Sequence, residues 1–507
     1  RYVEISGYPG EATRDTITGV VLYSNMETTG TFTCSDPLLN QLQRNIVWGQ
    51  KGNFVDVPTD CPQRDERLGW TGDIQVFART AAFNMDIAGF MTKWLQDVAD
   101  AQGENGAVPA VVPSMGMGLT DGGPAWADAV VICPWTLYLA YGDMRILEKH
   151  YADMERFMEF LLQASPGYIR CAPGYPGWHG FGDWLSINAD TPRDLIGTAF
   201  LAYDASLMAQ IAAVLGKTRA AARYRRLFAA VKQAFADRFL KGSIQTADAI
   251  PEAVRQQVEH GDAISRGNLK AVDYGPITSA VFNTNLFTPT QTAYVLALHF
   301  DLLPKRLRAK AVAELVADIE RRDMHLSTGF VGAPYLPHVL SSHGRLDVAY
   351  ALLKQTSWPS WLYSVTQGAT TIWERWDGWT EENGFQSAEM NSFNHYAYGS
   401  IGAWLYNTVA GIEIDPKQPG YKHLILRPQP GGGLTCARGA LQTLYGELLS
   451  EWAQEGNRFE WTVLVPPNTT ATAHLPLREG AAVQLNGQPV AGAEHKLAAG
   501  RHQFIVA

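Results

Sequence analysis

The sequence predicts a mainly α protein. Its body is a run of helical hairpins, of the kind that six in a ring close into an (α/α)6 toroid. A C-terminal antiparallel β-sandwich follows, and the remnant of an N-terminal β domain precedes it. Three observations carry this. Apolar residues recur at helical spacing from about Ser35 to Ile412. Short strands between Gly and Pro turn signals fill the chain from Glu413 onward. The first 34 residues are rich in β-branched and aromatic side chains. At 507 residues the chain is too long for one ordinary core. The expected division is 1–34, 35–412 and 413–507.

In chain order, Tyr2-Val3 with Ile5, Val20 to Tyr23 and Gly30 to Thr33 read as strands. The chain opens at Arg1 inside what reads as a strand in progress, so a preceding β portion is expected. Ser35 can N-cap a helix bearing Leu38, Leu39, Leu42, Ile46 and Val47. Further helical segments are predicted near 73–84, 86–101, 126–141, 144–164, 193–215 and 218–239, then near 276–283, 290–300, 304–321, 335–354 and 392–411. Helices joined by short turns pack as antiparallel pairs. His423 to Arg427, Phe459 to Val465 and His502 to Val506 are the clearest closing strands, with a turn at Pro430 to Gly433.

A formal charge of −9 disfavours nucleic acid and anionic membrane surfaces as partners, and leaves a neutral small ligand as the easier expectation. The most apolar long stretch, Ala125 to Tyr141, is broken by Asp128 and Pro134, so no membrane span is expected. Five scattered cysteines form no C-x-x-C pair, which supports neither a disulfide framework nor a zinc knuckle. They read as buried thiols in a reducing, cytoplasmic setting. With no P-loop, G-x-S-x-G elbow, dinucleotide fingerprint or H-x-x-x-H spacing, no cofactor and no metal are expected.

The chemistry concentrates in two places. Asp60, Asp65, Glu66 and Asp73 fall within a short stretch that also holds Cys61, Arg64, Arg67 and Trp70. Like charges so gathered repel, and a site that handles protons has reason to keep them together. Pro62 and Gly69 make Asp60 to Trp70 a loop, Thr71 is a plausible N-cap, and Asp73 then lies in a first helical turn. The bland alternative is a solvated acidic loop held by Arg64 and Arg67.

Farther on, Trp373, Trp376 and Trp379 surround Glu374 and Asp377. Sugars stack their C–H faces on such rings while their hydroxyls bond to carboxylates. The competing reading is a Trp-rich core segment. Trp126 to Asp128, the Gly-rich aromatic loop Pro176 to Trp184, and Asn391 to Tyr396 have the same character. His395 by itself is more often a structural histidine than a catalytic one. Taken together, paired carboxylates and aromatic loops favour glycoside hydrolysis.

The residues also carry a family resemblance. Asp60-Cys61-Pro62-Gln63-Arg64-Asp65-Glu66-Arg67-Leu68-Gly69-Trp70-Thr71-Gly72-Asp73 resembles the signature of bacterial α-L-rhamnosidases of glycoside hydrolase family seventy-eight. So do Ala125 to Asp128, Gly182 to Leu185, Leu326 to Phe330, Ala369 to Trp376, Asn394 to Tyr396, Pro419 to His423 and Arg427 to Gly433, in the same order. The resemblance implies an (α/α)6 barrel flanked by β-sandwich domains. It implies an exo-acting, inverting enzyme that removes terminal α-L-rhamnose, with Glu66 as general acid and Glu374 as general base. Asp60, Arg64 and Asp73 match positions that hold the sugar hydroxyls, and Trp70, Trp126, Asp128, Trp184, Trp376 and His395 look like further pocket residues. The substrate partner would be a rhamnoside, small or oligosaccharide, with the oligomeric state left open. Another (α/α)6 enzyme, such as a different glycosidase or a polysaccharide lyase, and an inactive sugar-binding homologue are the alternatives. The segment 242–275 is longer than the family pattern leads one to expect and reads as a lid or rim loop.

Overall fold

Helices that touch solvent on one side and the protein on the other need an apolar stripe, whereas helices buried all round need none. The chain uses both kinds, and they alternate. The computed structural model describes residues 3–116, 122–172, 179–240, 290–387, 390–478 and 480–507. The described residues hold α1 (Pro37–Asn53), α2 (Thr71–Asn84), α3 (Ala88–Ala101), α4 (Ala129–Tyr141), α5 (Arg145–Gln163), α6 (Arg193–Val214) and α7 (Thr218–Phe239). They continue with α8 (Gln291–His299), α9 (Lys305–Arg321), α10 (Leu336–Ser342), α11 (Leu346–Lys354), α12 (Trp361–Thr366) and α13 (Ile401–Trp404).

Contacts run α2–α4–α6–α8–α10–α13, and α13 returns to α2, so an inner ring of six helices closes. Around it stand α1, α3, α5, α7, α9 and α11, with α12 bridging α11 and α1. α4 and α6 bury nearly every side chain, and this explains how α6, apolar enough to cross a membrane by composition, belongs to a core. In contrast α5 buries one stripe, Ile146, Leu147, His150, Tyr151, Met154, Phe157, Met158 and Leu161.

Several expectations need correction. The cap of α1 is Asp36, not Ser35, its carboxylate accepting from Leu38 N at 2.9 Å. Thr71 is the first residue of α2 rather than its cap, and its hydroxyl donates to Ala110 O at 3.0 Å. The predicted helix 335–354 is two, α10 and α11, broken where Gly344 takes a positive φ of 77°. The segment 392–411 contains a 3-10 turn (Ala397–Ser400), α13 and a π turn (Leu405–Val409). α12 was not predicted, because six residues are too few to show a period. The helix predicted near 276–283 and the segment 242–275 lie outside the described residues.

The C-terminal part pairs a seven-stranded sheet with a four-stranded one. Trp452, Trp461, Val463 and Phe504 of the first and Leu424, Leu426, Ala471 and Leu497 of the second are buried in the common core. The sandwich is not wholly antiparallel, since Thr470–His474 runs parallel to His423–Leu426. Gly30–Cys34 is a strand, as expected, but it belongs to this same sheet, paired with Ala437 to Leu441. Residues 3–29 form no strand, and Val20 to Leu22 are exposed. They find no ladder partner there, so β propensity alone does not make them a sheet. Trp452 Nε1 donates to Val409 O at 2.7 Å and Ser450 Oγ to Ala410 O at 2.6 Å, fixing the sandwich to the end of the helical ring.

Candidate active site

The acidic loop is closed by its own first residue. Asp60 N donates to Leu68 O and Leu68 N to Asp60 Oδ1, both at 2.9 Å. Gly69 is required behind it, since a Cβ there would meet Val112 O at 2.0 Å. Thr71 N and Val112 N then donate to Ala110 O and Gly69 O at 2.9 Å each, so α2 starts from a fixed point. That places Asp73 in its first turn, where the helix dipole favours negative charge.

On the other side of the cavity two later segments run together. Glu374 N donates to Ser392 O at 2.8 Å and His395 N to Ile372 O at 2.9 Å. This pairing brings Glu374 beside His395, whose Nδ1 lies 4.0 Å from Glu374 Oε2. The imidazole Nε2 meets Asp73 Oδ1 at 2.5 Å.

Between these walls is a cavity of about 150 Å3. Drug-sized ligands occupy roughly 300–1,000 Å3. A single sugar ring is therefore a better match than a chain. Its polar lining is Asp60, Glu66, Asp73, Glu374 and His395. Its apolar lining is Trp70, Trp126, Trp184, Phe181, Phe330 and Met390. Phe181 joins the three indoles, with ring centroids 5.3 Å from Trp70, 4.9 Å from Trp126 and 5.6 Å from Trp184.

The two glutamates differ in surroundings. The Glu66 side chain is 27% exposed, Oε1 accepts from Trp70 Nε1 at 2.9 Å, and Oε2 is paired with Arg64. Glu374 is 2% exposed, and its Oε2 lies 3.9 Å from the same Arg64 nitrogen. One cation therefore spans both acids. Burial pushes Asp60 up to about 7, with His395 pulling the other way and Glu66 and Asp73 adding repulsion. For His395, burial opposes the charge, but Asp73, Glu374 and Asp60 outweigh it and hold the imidazole up at about 9.

Eight of the eleven sequence-predicted residues line the cavity: Asp60, Glu66, Trp70, Asp73, Trp126, Trp184, Glu374 and His395. Arg64 reaches both glutamates from behind the lining. Asp128 and Trp376 are not pocket residues. Asp128 is fully buried and bound to Arg170 at 2.5 Å, and Trp376 stacks on Tyr398 while its Nε1 donates to Thr328 O at 2.9 Å. Each lies two positions from a residue of the lining, Asp128 from Trp126 and Trp376 from Glu374. Phe181, Phe330 and Met390 were not singled out. Phe181 and Phe330 lie inside stretches already marked by their aromatic loop and family pattern, whereas nothing in the sequence marks Met390.

Asp60, Cys61 and Glu66 bring an oxygen, a sulfur and an oxygen within 4.8 Å of one another. The thiol donates to Asp60 Oδ2 at 2.8 Å and is pushed up by burial, so it serves as a hydrogen-bond donor there rather than a thiolate ligand.

A family model described as the bacterial alpha-L-rhamnosidase six-hairpin glycosidase domain matches residues 27–409, and one for the family's C-terminal domain matches 411–488. An alpha-L-rhamnosidase of Streptomyces avermitilis is 43% identical over all of this chain and 45% of its own length. One of Formosa agariphila is 41% identical over 96% of this chain and 48% of its own. The chain thus spans about half the length of these relatives. The crystal structure of the Streptomyces avermitilis enzyme complexed with L-rhamnose superposes with a TM-score of 0.85 at 41% identity, over 99% of this chain and 44% of that one. That of the Dictyoglumus thermophilum alpha-L-rhamnosidase gives 0.83 at 33% identity, over 99% and 53%.

Proposed function

Since the chain belongs to the bacterial α-L-rhamnosidase family, we propose that it is an exo-acting, inverting glycoside hydrolase. It would remove terminal α-L-rhamnose from the non-reducing end of glycosides or oligosaccharides. One observation carries the reading: Glu66 and Glu374 both line one monosaccharide-sized cavity and are tied to the same arginine.

Glu66 stands nearer solvent, where a leaving group departs, and in its protonated form donates to the glycosidic oxygen. Glu374, deep in the cavity, accepts a proton from a water that attacks the anomeric carbon on the opposite face. The C–O bond to the leaving group breaks as the bond to water forms, and the anomeric configuration inverts. Solvent then returns the proton from Glu374 to Glu66. Asp60, Asp73 and Arg64 hold the sugar hydroxyls, while Trp70, Trp126 and Trp184 cover its C–H face and the 6-methyl. Asp128 and Trp376 act one layer farther out.

The test is p-nitrophenol release from the α-L-rhamnoside against the α- and β-glucosides and the β-galactoside, with proton NMR of the first product anomer. A preference for the rhamnoside and an inverted product are expected. Glu66→Gln and Glu374→Gln should each lower kcat by roughly 10²–10⁴ in folded protein. Preferential cleavage of another glycoside, or a retained anomer, would overturn the reading. A lyase needs basic groups facing a uronate, yet Arg64 is already paired with carboxylates. A mere sugar-binding homologue would need neither glutamate.

A further inference from the structure

Two polar atoms at the floor of the cavity are buried and make no hydrogen bond: Glu374 Oε2 and His395 Nδ1. They face each other at 4.0 Å, and both side chains are at least nine-tenths buried. Buried polar groups seldom stay unmatched, and the two orphans are complementary in charge and lie close to one another. The reason Nδ1 faces Glu374 lies on the far side of the ring. Asp73 Oδ1 accepts from Nε2 at 2.5 Å, which fixes the ring plane and leaves Nδ1 directed at the glutamate. Phe330, 5.4 Å from the imidazole, and Tyr396 pack against it.

We propose that His395 is the positioning residue of the general base: oriented by Asp73, its Nδ1–H meets Glu374 Oε2 and aims that carboxylate at the attacking water. The proposal rests on the rhamnosidase reading and gives His395, there one more pocket residue, the part of serving the base. The chain Asp73–His395–Glu374 joins the first turn of α2 to the two paired late segments, so it forms only when residues over 300 positions apart meet. The charged groups that face the imidazole are Asp73, Glu374 and Asp60, and Arg64 faces the same Glu374 oxygen at 3.9 Å. Three carboxylates keep the imidazole cationic at neutral pH, so both ring nitrogens donate. Arg64 and the imidazole both stand within 4.0 Å of the same oxygen, Glu374 Oε2.

Two variants separate this role from plain support. In His395→Asn the amide nitrogen replaces Nδ1 and the contact with Asp73 is lost. In His395→Gln the amide replaces Nε2 and the donor toward Glu374 is lost. The proposal expects kcat to fall roughly 10²-fold in His395→Gln and no more than about 10-fold in His395→Asn, with KM little changed in both. A purely structural role through Asp73 gives the reverse order. The second readout is α-L-rhamnosyl fluoride, whose fluoride leaves with the bonding electrons and needs little protonation. Water's oxygen bonds to the anomeric carbon and its proton passes to Glu374. Glu66→Gln should recover turnover on the fluoride, while Glu374→Gln and His395→Gln stay impaired. Recovery of His395→Gln on the fluoride, an unchanged kcat with raised KM and weaker rhamnose inhibition, or His395→Gln outperforming His395→Asn would each overturn the proposal. Wild-type protein that cleaves neither rhamnoside would instead refute the functional reading itself.

Discussion

Asp128 and Arg170 form an ion pair of 2.5 Å in which both side chains are shut off from solvent. The other oxygen of Asp128 accepts from Ala125 N at 2.6 Å, and Arg170 Nη2 donates to Gly122 O at 2.6 Å. Ala125 holds a positive φ of 65°, so this pair pins the strained approach to Trp126, one wall of the cavity.

Removing one side of that pair leaves a buried charge uncompensated, at a cost of about 3–5 kcal/mol. Asp128→Asn and Arg170→Met should each lower the melting temperature by several degrees and loosen the rhamnose pocket. Asp204 behaves differently. Burial, then the facing Asp128, hold its carboxyl well above the usual range, which favours the neutral form in the folded protein. A group with a raised folded pKa contributes stability below its unfolded value of 3.8 and loses that contribution as pH rises. If the neutral form persists to pH 7, Asp204→Asn should melt no lower than wild type there, with the comparison shifting toward wild type as pH falls to about 4. Damage at pH 7 equal to that of Asp128→Asn would show that Asp204 is charged.

Gly72 lies in α2 directly under the Trp126 indole, and a Cβ there would meet the ring at 2.6 Å. Ala gains up to about 1 kcal/mol of helix propensity over Gly. Overpacking a core costs about 1–3 kcal/mol. The second effect wins, because the indole has Phe181 on its other side and cannot simply retreat. Gly72→Ala should raise KM for the rhamnoside and lower the melting temperature, with kcat less affected. A stabilised variant with unchanged KM would mean that Trp126 yields freely.

How much of this was legible in the residues depended on how far the deciding partner lay. The amphipathic outer helices α5 and α7 announced themselves, since each meets water along one side. α4 and α6 gave length and apolarity but no stripe, for every face meets protein. The partner of Gly30–Cys34 lies some four hundred residues on, beyond anything local pattern can express. In the site, Asp60, Glu66 and Asp73 were legible because they share a loop and the helix it feeds. Asp128 gave no local sign of its partner, since Arg170, which claims it, lies 42 positions on.

Asp183 is a third support of the cavity. Its Oδ2 accepts from Gly329 N at 2.8 Å and Thr292 Oγ1 at 2.5 Å, and its Oδ1 from Val331 N at 2.9 Å and Gly332 N at 3.2 Å. The same clasp sets Phe330 N on Trp184 O at 2.9 Å, and both residues line the pocket. In Asp183→Asn an amide NH2 would confront donors, so two bonds are lost at about 1.5–3 kcal/mol each. A lower melting temperature and a raised KM are expected together. Destabilisation with unaltered KM would confine Asp183 to the scaffold.

The charge on His395 makes stability depend on pH in a stated direction. Its folded pKa of about 9 exceeds the ordinary imidazole value of 6.5, because Asp73, Glu374 and Asp60 together outweigh burial. The stabilisation it lends is complete below about 6.5 and is lost as pH rises through about 9. Asp60, pushed by burial to about 7, has its own loss at lower pH, from about 4 to 7. The two windows follow one another, so melting temperature should decline across both as pH is raised. His395→Asn keeps the cavity polar but removes the titrating cation, and should flatten the upper window alone. Asp73→Asn withdraws the carboxylate in contact with the imidazole and should move that window to lower pH. If wild type and His395→Asn decline in parallel between pH 7 and 9, the imidazole is not the cation that couples α2 to Glu374.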